Sequence, residues 1–303
     1  MRLIGSMQTA LAGVLLLVGG VSSVTAAAPK SMFLFKDVLQ SNTTGLTTSG
    51  FNTLLIFRIG LTDAGDLVYY STGDAGEAVD APVVSGGVYT GGAALSDKIR
   101  SFKTAASTQV DRVEVSLVSH DTTFQIIRDL VASEGTGPES TLYRNFAALA
   151  AAWDVDALNN DDEGVYDMTS TVAFAKMLGG LGLQYTIAPY TNSAFWADAV
   201  GRINTDQKKL LDRVYLQVYD GGAGNDPASW QKALGGMKIA PVEWVINDAK
   251  PSEGTTPEAA QAEFARWFSE GSVEGAGYWN DYDVEKMGSS YTAYGKVLTD
   301  VFG

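Results

Sequence analysis

The chain of 303 residues contains no cysteine and only one histidine, His120. The lack of cysteine excludes disulfide bonds, thiol nucleophiles, Cys-ligated zinc sites and a lipid-modified cysteine anchor. A single histidine excludes an HExxH metal site, and any Ser-His-Asp triad would have to use His120. Because His120 follows the third predicted strand, we favour a structural histidine over a catalytic one.

Positive charge is also scarce, since 21 Lys and Arg residues stand against 35 Asp and Glu residues and the formal net charge is −14. A surface of this sign repels phosphate backbones, so nucleic-acid binding is not expected. The remaining composition is ordinary, with 46% hydrophobic and 18% charged residues. It suits one large domain with its own core.

Long apolar runs are absent except at the N terminus. Arg2 precedes an apolar run from Ala10 to Val21, and Val24-Thr25-Ala26 is a small-residue cleavage pattern. These features predict a secretory signal peptide over residues 1–26 and a mature chain of residues 27–303. An uncleaved membrane anchor is the alternative, but Gly and Ser at positions 19–23 interrupt the run before the roughly 20 residues that a spanning helix needs. We therefore expect a secreted or periplasmic protein without stable membrane insertion.

Downstream of this segment, apolar β-rich runs alternate with helical patterns, which is typical of parallel βα units. Eight strands are predicted, at 32–39, 51–59, 112–119, 156–163, 183–188, 213–219, 239–246 and 275–279. Helical sequence or a plausible crossover follows each strand, and residues 62–92 form a long insertion. The pattern predicts an α/β fold, a single (β/α)₈ TIM barrel, whose long insertion would help to build a cleft.

The stretch from Trp153 to Asp167 concentrates acidic and amide side chains. In an extended strand every second residue shares one face, here Ala157, Asn159, Asp161 and Glu163. Burying carboxylates costs on the order of several kcal/mol each unless they are paired, hydrogen-bonded or protonated. We therefore expect a functional role. A solvated loop or a calcium site is the alternative, although Leu158 occupies a ligand position of the EF-hand pattern and no glycine turns the loop.

This stretch resembles the D-x-x-D-x-D-x-E signature of glycoside hydrolase family 18, which holds chitinases and endo-β-N-acetylglucosaminidases. Asp156, Asp161 and Glu163 match the signature, whereas Asn159 stands where the family usually has Asp. The run Asp161-Asp162-Glu163 is similar to the endoglycosidase branch. Gln217-Val218-Tyr219 on the sixth strand and Trp279 on the eighth resemble plant-type members.

The resemblance implies a substrate-assisted retaining mechanism. Glu163 would be the general acid, with a pKa raised by burial and nearby carboxylates. Asp161 would orient the substrate's acetamido group and Tyr219 would hydrogen-bond its carbonyl. Asp156 and Asn159 complete the motif, and because an amide cannot share a proton with Asp161 we expect a shifted pH optimum or a lower rate.

The other strand ends supply the predicted substrate contacts. Strand-end position favours Trp279 as a sugar platform, whereas Trp244 and Tyr190 fit a core position equally well. The full set of predicted substrate-binding residues is Trp279, Gln217, Asp220, Tyr190, Trp244 and Asn192. No metal and no cofactor is expected.

We thus expect an exported glycoside hydrolase that acts on oligosaccharides or polysaccharides with β-1,4-linked N-acetylglucosamine. The alternative is a non-catalytic, chitinase-like carbohydrate-binding protein, but such proteins usually lose the acid that this chain keeps as Glu163. A structural or surface-layer protein is a third possibility. Chitin, the N-glycan core and peptidoglycan remain open as substrates.

Overall fold

A closed barrel of eight parallel strands forms the centre of the computed structural model, which describes residues 27–118 and 122–303. The chain's strands are β1 Lys30–Leu34, β2 Thr53–Leu61, β3 Leu67–Thr72, β4 Ala78–Ser85, β5 Val88–Tyr89, β6 Arg112–Leu117, β7 Ala157–Asn160, β8 Gln184–Ile187, β9 Leu211–Gln217, β10 Ala240–Val245, β11 Gly254–Thr255 and β12 Ala276–Trp279. The barrel order is β1-β2-β6-β7-β8-β9-β10-β12, and β12 closes onto β1. The predicted TIM barrel is confirmed.

Helices connect consecutive barrel strands on the outside. They are α1 Thr43–Thr48, α2 Ala93–Thr104, α3 Thr123–Glu134, α4 Thr141–Trp153, α5 Met168–Gly180, α6 Ser193–Ile203, α7 Pro227–Ala233, α8 Pro257–Ser269, α9 Asp281–Lys286 and α10 Tyr291–Phe302. Several begin at a side chain that accepts a backbone N–H of the first turn, as Ser140, Asp167 and Thr256 do. Such caps satisfy donors that have no partner inside the helix.

The barrel carries two separate apolar layers. Leu158 and its counterparts on the outer strand faces join the helices in one large core that includes Trp153, Phe146 and Phe174. A smaller cluster fills part of the barrel interior and contains Phe33, Leu55, Ala188, Tyr215, Ala240 and Val242. The polar side chains of the interior are concentrated on β6 to β9, and Arg213 of β9 also donates to the Thr53 hydroxyl of β2 at 2.9 Å.

The long insertion folds as a small antiparallel sheet. Strand β2 continues beyond the barrel, where Ile59 pairs with Tyr69 of β3, and β4 and β5 follow by antiparallel pairing. The Trp153 indole N–H donates to the Tyr89 hydroxyl at 3.1 Å. The insertion is therefore held against α4.

The acidic stretch departs from its predicted form, because β7 ends at Asn160 and residues 161–163 follow in a loop. Two helices, α9 and α10, follow β12. The predicted signal segment 1–26 and His120 lie outside the described residues. Among those that are described, no helix is long and apolar enough to cross a membrane.

Candidate active site

A cleft of about 550 Å³ opens at the C-terminal ends of the barrel strands. Most of the predicted site residues line it, namely Asp161, Glu163, Tyr190, Gln217, Tyr219, Asp220, Trp244 and Trp279. Three phenylalanines from the ends of β1 and β2 add to its wall, Phe33, Phe35 and Phe57. Both the location and the volume are typical of ligand sites in this architecture.

Gln217 links the two carboxylates that follow β7. Its amide nitrogen lies 3.1 Å from Asp161 Oδ1 and 3.3 Å from Glu163 Oε1, and it also donates to the Ala188 carbonyl at 2.8 Å. Since Gln217 ends β9, two strands away from β7, the barrel itself brings these groups together. Both carboxylates therefore face the same side of the cleft.

Asp162 is a residue of the site that the sequence interpretation missed. Its carboxylate accepts the backbone N–H groups of Gly164 at 3.0 Å, Val165 at 2.8 Å and Tyr166 at 2.7 Å. Its own N–H donates to Asn160 Oδ1 at 2.7 Å. Asp162 therefore ends the strand and shapes the turn that carries Glu163. The only available signal was a carboxylate close to a glycine, which is common in turns.

The acidic residues of this turn are not a solvated loop, because Asp161 is 7% exposed and Asp162 is 4% exposed. Within the described part of the chain, no group of three or more acidic or histidine side chains is arranged to hold a metal ion. The buried carboxylates instead accept hydrogen bonds from amide groups, which stabilise negative charge in a low-dielectric site.

Two tyrosines face the carboxylates across the cleft. Burial and the charges of Asp161 and Glu163 raise the pKa of Tyr219 well above its usual value, and burial and the same charges raise the pKa of Tyr190. Both phenols therefore keep their protons at neutral pH and can donate hydrogen bonds to a ligand. The Tyr219 ring also packs against Trp244, with centroids 5.7 Å apart.

Trp279 lies among the three phenylalanines. Its ring centroid is 4.6 Å from that of Phe57, 5.4 Å from Phe35 and 5.8 Å from Phe33, and the Phe57 contact is edge-to-face. On a neighbouring strand, the Trp244 indole N–H donates to Asp283 Oδ2 at 2.7 Å. These contacts fix one aromatic wall of the cleft by packing and by a hydrogen bond.

Three predicted site residues do not line the cleft. Asp156 precedes β7 at the opposite end of the barrel, where its carboxylate accepts the Val113 N–H at 2.8 Å and binds Lys103 Nζ at 3.1 Å. Asn159 is fully buried in the barrel interior. Asn192 is exposed at the start of α6, with a left-handed backbone and no side-chain capping bond. A catalytic role for Asp156 does not fit its position, because it lies at the opposite end of β7 from the cleft. Substrate contact by Asn192 does not fit either, because this residue does not line the cleft.

Comparisons with known proteins support the fold strongly. No family model matches the chain, and no curated protein matches it. Solved structures do match, including a family GH18 chitinase catalytic domain from the fern Peteris ryukyuensis, with TM-score 0.58, 15% identity and coverage of 89% of this chain and 98% of the other. A mutant class V chitinase from Nicotiana tobaccum in complex with NAG4 matches with TM-score 0.57, 10% identity and coverage of 91% and 99%.

A third match is a chitinase-like agglutinin from Robinia pseudoacacia, with TM-score 0.56, 12% identity and coverage of 91% of this chain and 100% of the other. The resemblance to family 18 is therefore confirmed for the fold over most of the chain. The same fold is found in chitinases and in an agglutinin, so the side chains of the cleft must decide between catalysis and binding.

Proposed function

We propose that the protein is a glycoside hydrolase that cleaves glycans containing β-1,4-linked N-acetylglucosamine, with Glu163 as general acid. The observation that carries this proposal is the placement of Asp161 and Glu163 under one amide of Gln217, opposite the aromatic wall around Trp279. A carboxyl group at the edge of a concave cleft can reach a glycosidic oxygen, which is the geometry that general acid catalysis requires.

The chemistry follows from the positions of three groups. Glu163 protonates the leaving oxygen, and the substrate's own acetamido oxygen attacks the anomeric carbon, so no second carboxylate nucleophile is needed. Asp161 orients the acetamido N–H and stabilises the positive charge of the oxazolinium intermediate. The protonated Tyr219 hydroxyl donates to the acetamido oxygen. Water then opens the intermediate, with Glu163 accepting its proton.

The aromatic wall supplies binding rather than chemistry. Trp279 presents a flat apolar face, supported by Phe35 and Phe57, that suits the C–H groups of a sugar ring. Two polar groups beside it, Tyr190 and Asp220, offer hydrogen bonds to hydroxyl groups. A mostly apolar cleft with a few directed polar groups is the usual form of a specific ligand site.

A second candidate is a carbohydrate-binding protein without activity. The match to an agglutinin of the same fold favours it, as does Asn159 in the place of the motif's aspartate. Retention of Glu163 in the cleft favours the hydrolase. In either case residues 1–26 support the further proposal that the chain is exported.

The test is hydrolysis of chitooligosaccharides and of a high-mannose glycoprotein, measured side by side for the wild type and for Glu163→Gln. We expect cleavage of at least one substrate and a loss of about 10²- to 10⁴-fold in kcat in the variant. Glu139→Gln, a substitution of the same kind at an exposed residue before α4, is the control and should keep full activity. Sugar binding without cleavage by the wild type would establish the lectin alternative instead.

A further inference from the structure

A buried ionic network lies below the candidate active site and does not take part in the proposed chemistry. Its centre is Glu114 on β6, which is completely buried inside the barrel. Glu114 Oε1 accepts from Arg112 Nε and from the Tyr215 hydroxyl, both at 2.7 Å, and Arg213 lies 3.7 Å away. Its other oxygen accepts the Thr186 hydroxyl at 2.6 Å.

Glu114 is ionised in this setting. Burial alone would raise its pKa, but the charges of Arg112 and Arg213 and the hydrogen bonds from Thr186 and Tyr215 outweigh burial and lower it. An ionised carboxylate carries no proton and can only accept hydrogen bonds. Each hydroxyl that contacts Glu114 must therefore donate its single proton to it.

This constraint on the position of the proton also affects Asn159, the neighbour of Thr186 on the adjacent strand. Thr186, Asn159 and Ser116 are direct neighbours across β8, β7 and β6. Because the Thr186 proton is used by Glu114, the Thr186 oxygen can only accept from residue 159. Asn159 Nδ2 meets this need at 2.9 Å, and Asn159 Oδ1 then accepts the Ser116 hydroxyl, also at 2.9 Å.

We propose that Glu114 is a positioning residue of the candidate active site, which orders the protons of Thr186, Asn159 and Ser116 and thereby requires a neutral hydrogen-bond donor at position 159. Position 159 lies on β7, and Asp161 follows two residues later in the turn after this strand. An aspartate there would place a second buried negative charge near Glu114 and would direct a lone pair at the Thr186 oxygen. The amide is thus the residue that this network selects, and it keeps a second buried charge away from the strand end that leads to Asp161.

The charged and titratable side chains that face the network come from β6, from β9 and from the segment before β12. They are Arg112, Asp212, Arg213, Tyr215 and Glu274. Both arginines approach Oε1 of Glu114, the oxygen that does not contact Thr186, and Arg112 also binds Asp212 at 2.7 Å. The hydrogen bonds of the Asn159 side chain go to the neutral hydroxyl groups of Thr186 and Ser116, so a carboxyl group in the same place would meet hydroxyl groups and not a cation.

The first test is the unfolding of Asn159→Asp, followed by urea or heat between pH 5 and pH 8. The new carboxyl should keep its proton in the folded state, so that its pKa lies above the unfolded value of about 3.9. The folded state then binds more protons than the unfolded state, and stability falls as the pH rises. We expect the melting temperature of the variant, relative to wild type, to drop by roughly 5 °C or more across this range.

The matched background is Glu114→Gln, in which the charge is gone and the Thr186 hydroxyl is free to turn toward position 159. In the Glu114→Gln background, the loss of stability that Asn159→Asp causes should depend much less on pH. An equal cost in both backgrounds, or an Asn159→Asp variant as stable as wild type at pH 8, would overturn the proposal. If Glu114→Gln does not fold, the infrared band of a protonated carboxylic acid at pH 7 in Asn159→Asp decides, and its absence overturns the proposal.

The second test measures position rather than stability and rests on the proposed function. Thr186→Ser keeps the hydroxyl and should keep kcat, whereas Thr186→Ala removes the link and should lower kcat severalfold with little change in KM. Equal kcat values in the two variants would contradict a positioning role. A wild type with no activity would overturn the proposed function alone, because the unfolding measurements do not depend on it.

Discussion

The two halves of the barrel interior differ in chemistry, and each supports a different part of the cleft. Strands β6 to β9 contribute a polar network with Arg112, Glu114, Ser116, Asn159 and Thr186. Strands β10, β12, β1 and β2 contribute apolar side chains such as Val242, Phe33 and Leu55. The carboxylates stand above the polar half and Trp279 stands above the apolar half. Buried charged side chains are therefore found where neighbouring strands supply hydrogen-bond and ion-pair partners.

Two buried glutamates also differ in whether they have cations beside them. Glu114, in the polar half, has two arginines beside it and a lowered pKa. Glu243, on the outer face of β10, is 3% exposed, and among the described residues no ion pair includes it. Burial, together with the charge of Glu263, raises the pKa of Glu243 to about 8. A buried carboxyl without a cation is therefore expected to stay protonated at neutral pH.

At pH 9, replacing each of these glutamates by glutamine should change the free energy of unfolding in opposite directions. This is the largest effect on stability that we predict. Glu114→Gln leaves Arg213 and part of Arg112 without a counter-charge and should destabilise by about 3–5 kcal/mol. Glu243→Gln should be close to neutral at pH 5. Because the raised pKa of Glu243 makes wild-type stability fall as the pH rises from about 4 through 8, Gln should stabilise at pH 9.

Urea unfolding of both variants and the wild type at pH 5, 7 and 9 measures this difference. The exposed Glu263→Gln substitution is a control for the second glutamate, because it removes the neighbouring charge without entering the core. Destabilisation of similar size in both buried variants at pH 9 would show that the arginines beside Glu114 do not distinguish it from Glu243.

The turn above the polar half should respond strongly to Asp162→Asn. The asparagine side chain would point its own NH₂ group at one of the backbone N–H groups that now donate to the carboxylate, and that hydrogen bond would be lost. Glu163 should therefore move, and kcat should fall by about 100-fold. The KM should change little, since the aromatic wall is untouched. Asp167→Asn is the matched control, because asparagine also caps helices well.

Kinetics on chitooligosaccharides and hydrogen exchange of residues 164–166 check this prediction together. The three amides should exchange slowly in the wild type and rapidly in Asp162→Asn. Slow exchange in the variant combined with an unchanged kcat would show that Asp162 does not position Glu163.

The wall above the apolar half should give a smaller effect of a different kind. Trp279→Ala removes the flat face and should raise KM about 10-fold, while Trp279→Phe should recover part of the binding. Isothermal titration of chitooligosaccharides to the Glu163→Gln protein, which the proposed mechanism makes inactive, isolates binding from chemistry. If adding Trp279→Ala to that protein leaves the affinity unchanged, sugar does not lie on this wall.

The regular parts of the fold and much of the site were predictable from local patterns. Alternation of side chains along β7 correctly puts Asn159 on the inward side and Leu158 on the outward side. Asp161 and Glu163 also reach the cleft, but from the turn that follows β7. The order of strand ends correctly brings Gln217 and Trp279 to the same cleft. Both predictions follow from strand geometry and the closed parallel barrel, which tertiary packing does not alter.

Two features of the structure lie beyond the reach of local patterns. Asp156 matches the motif, but it lies at the opposite end of β7, and its partner Lys103 comes from α2. The sheet formed by β3 to β5 depends on the extension of β2 beyond the barrel. Each of these features depends on residues distant in sequence, which no local pattern reports.

The sequence by itself determined the barrel class, the inward face of the acidic stretch and the identities of the carboxylates, because periodicity and strand direction are local properties. Only the tertiary structure decided which groups surround each carboxylate. Asp162 holds a turn, Gln217 joins two acids, and Glu114 orders the protons around Asn159. Hydrogen-bond direction and burial are set by neighbours from other strands, and these exist only once the barrel is closed.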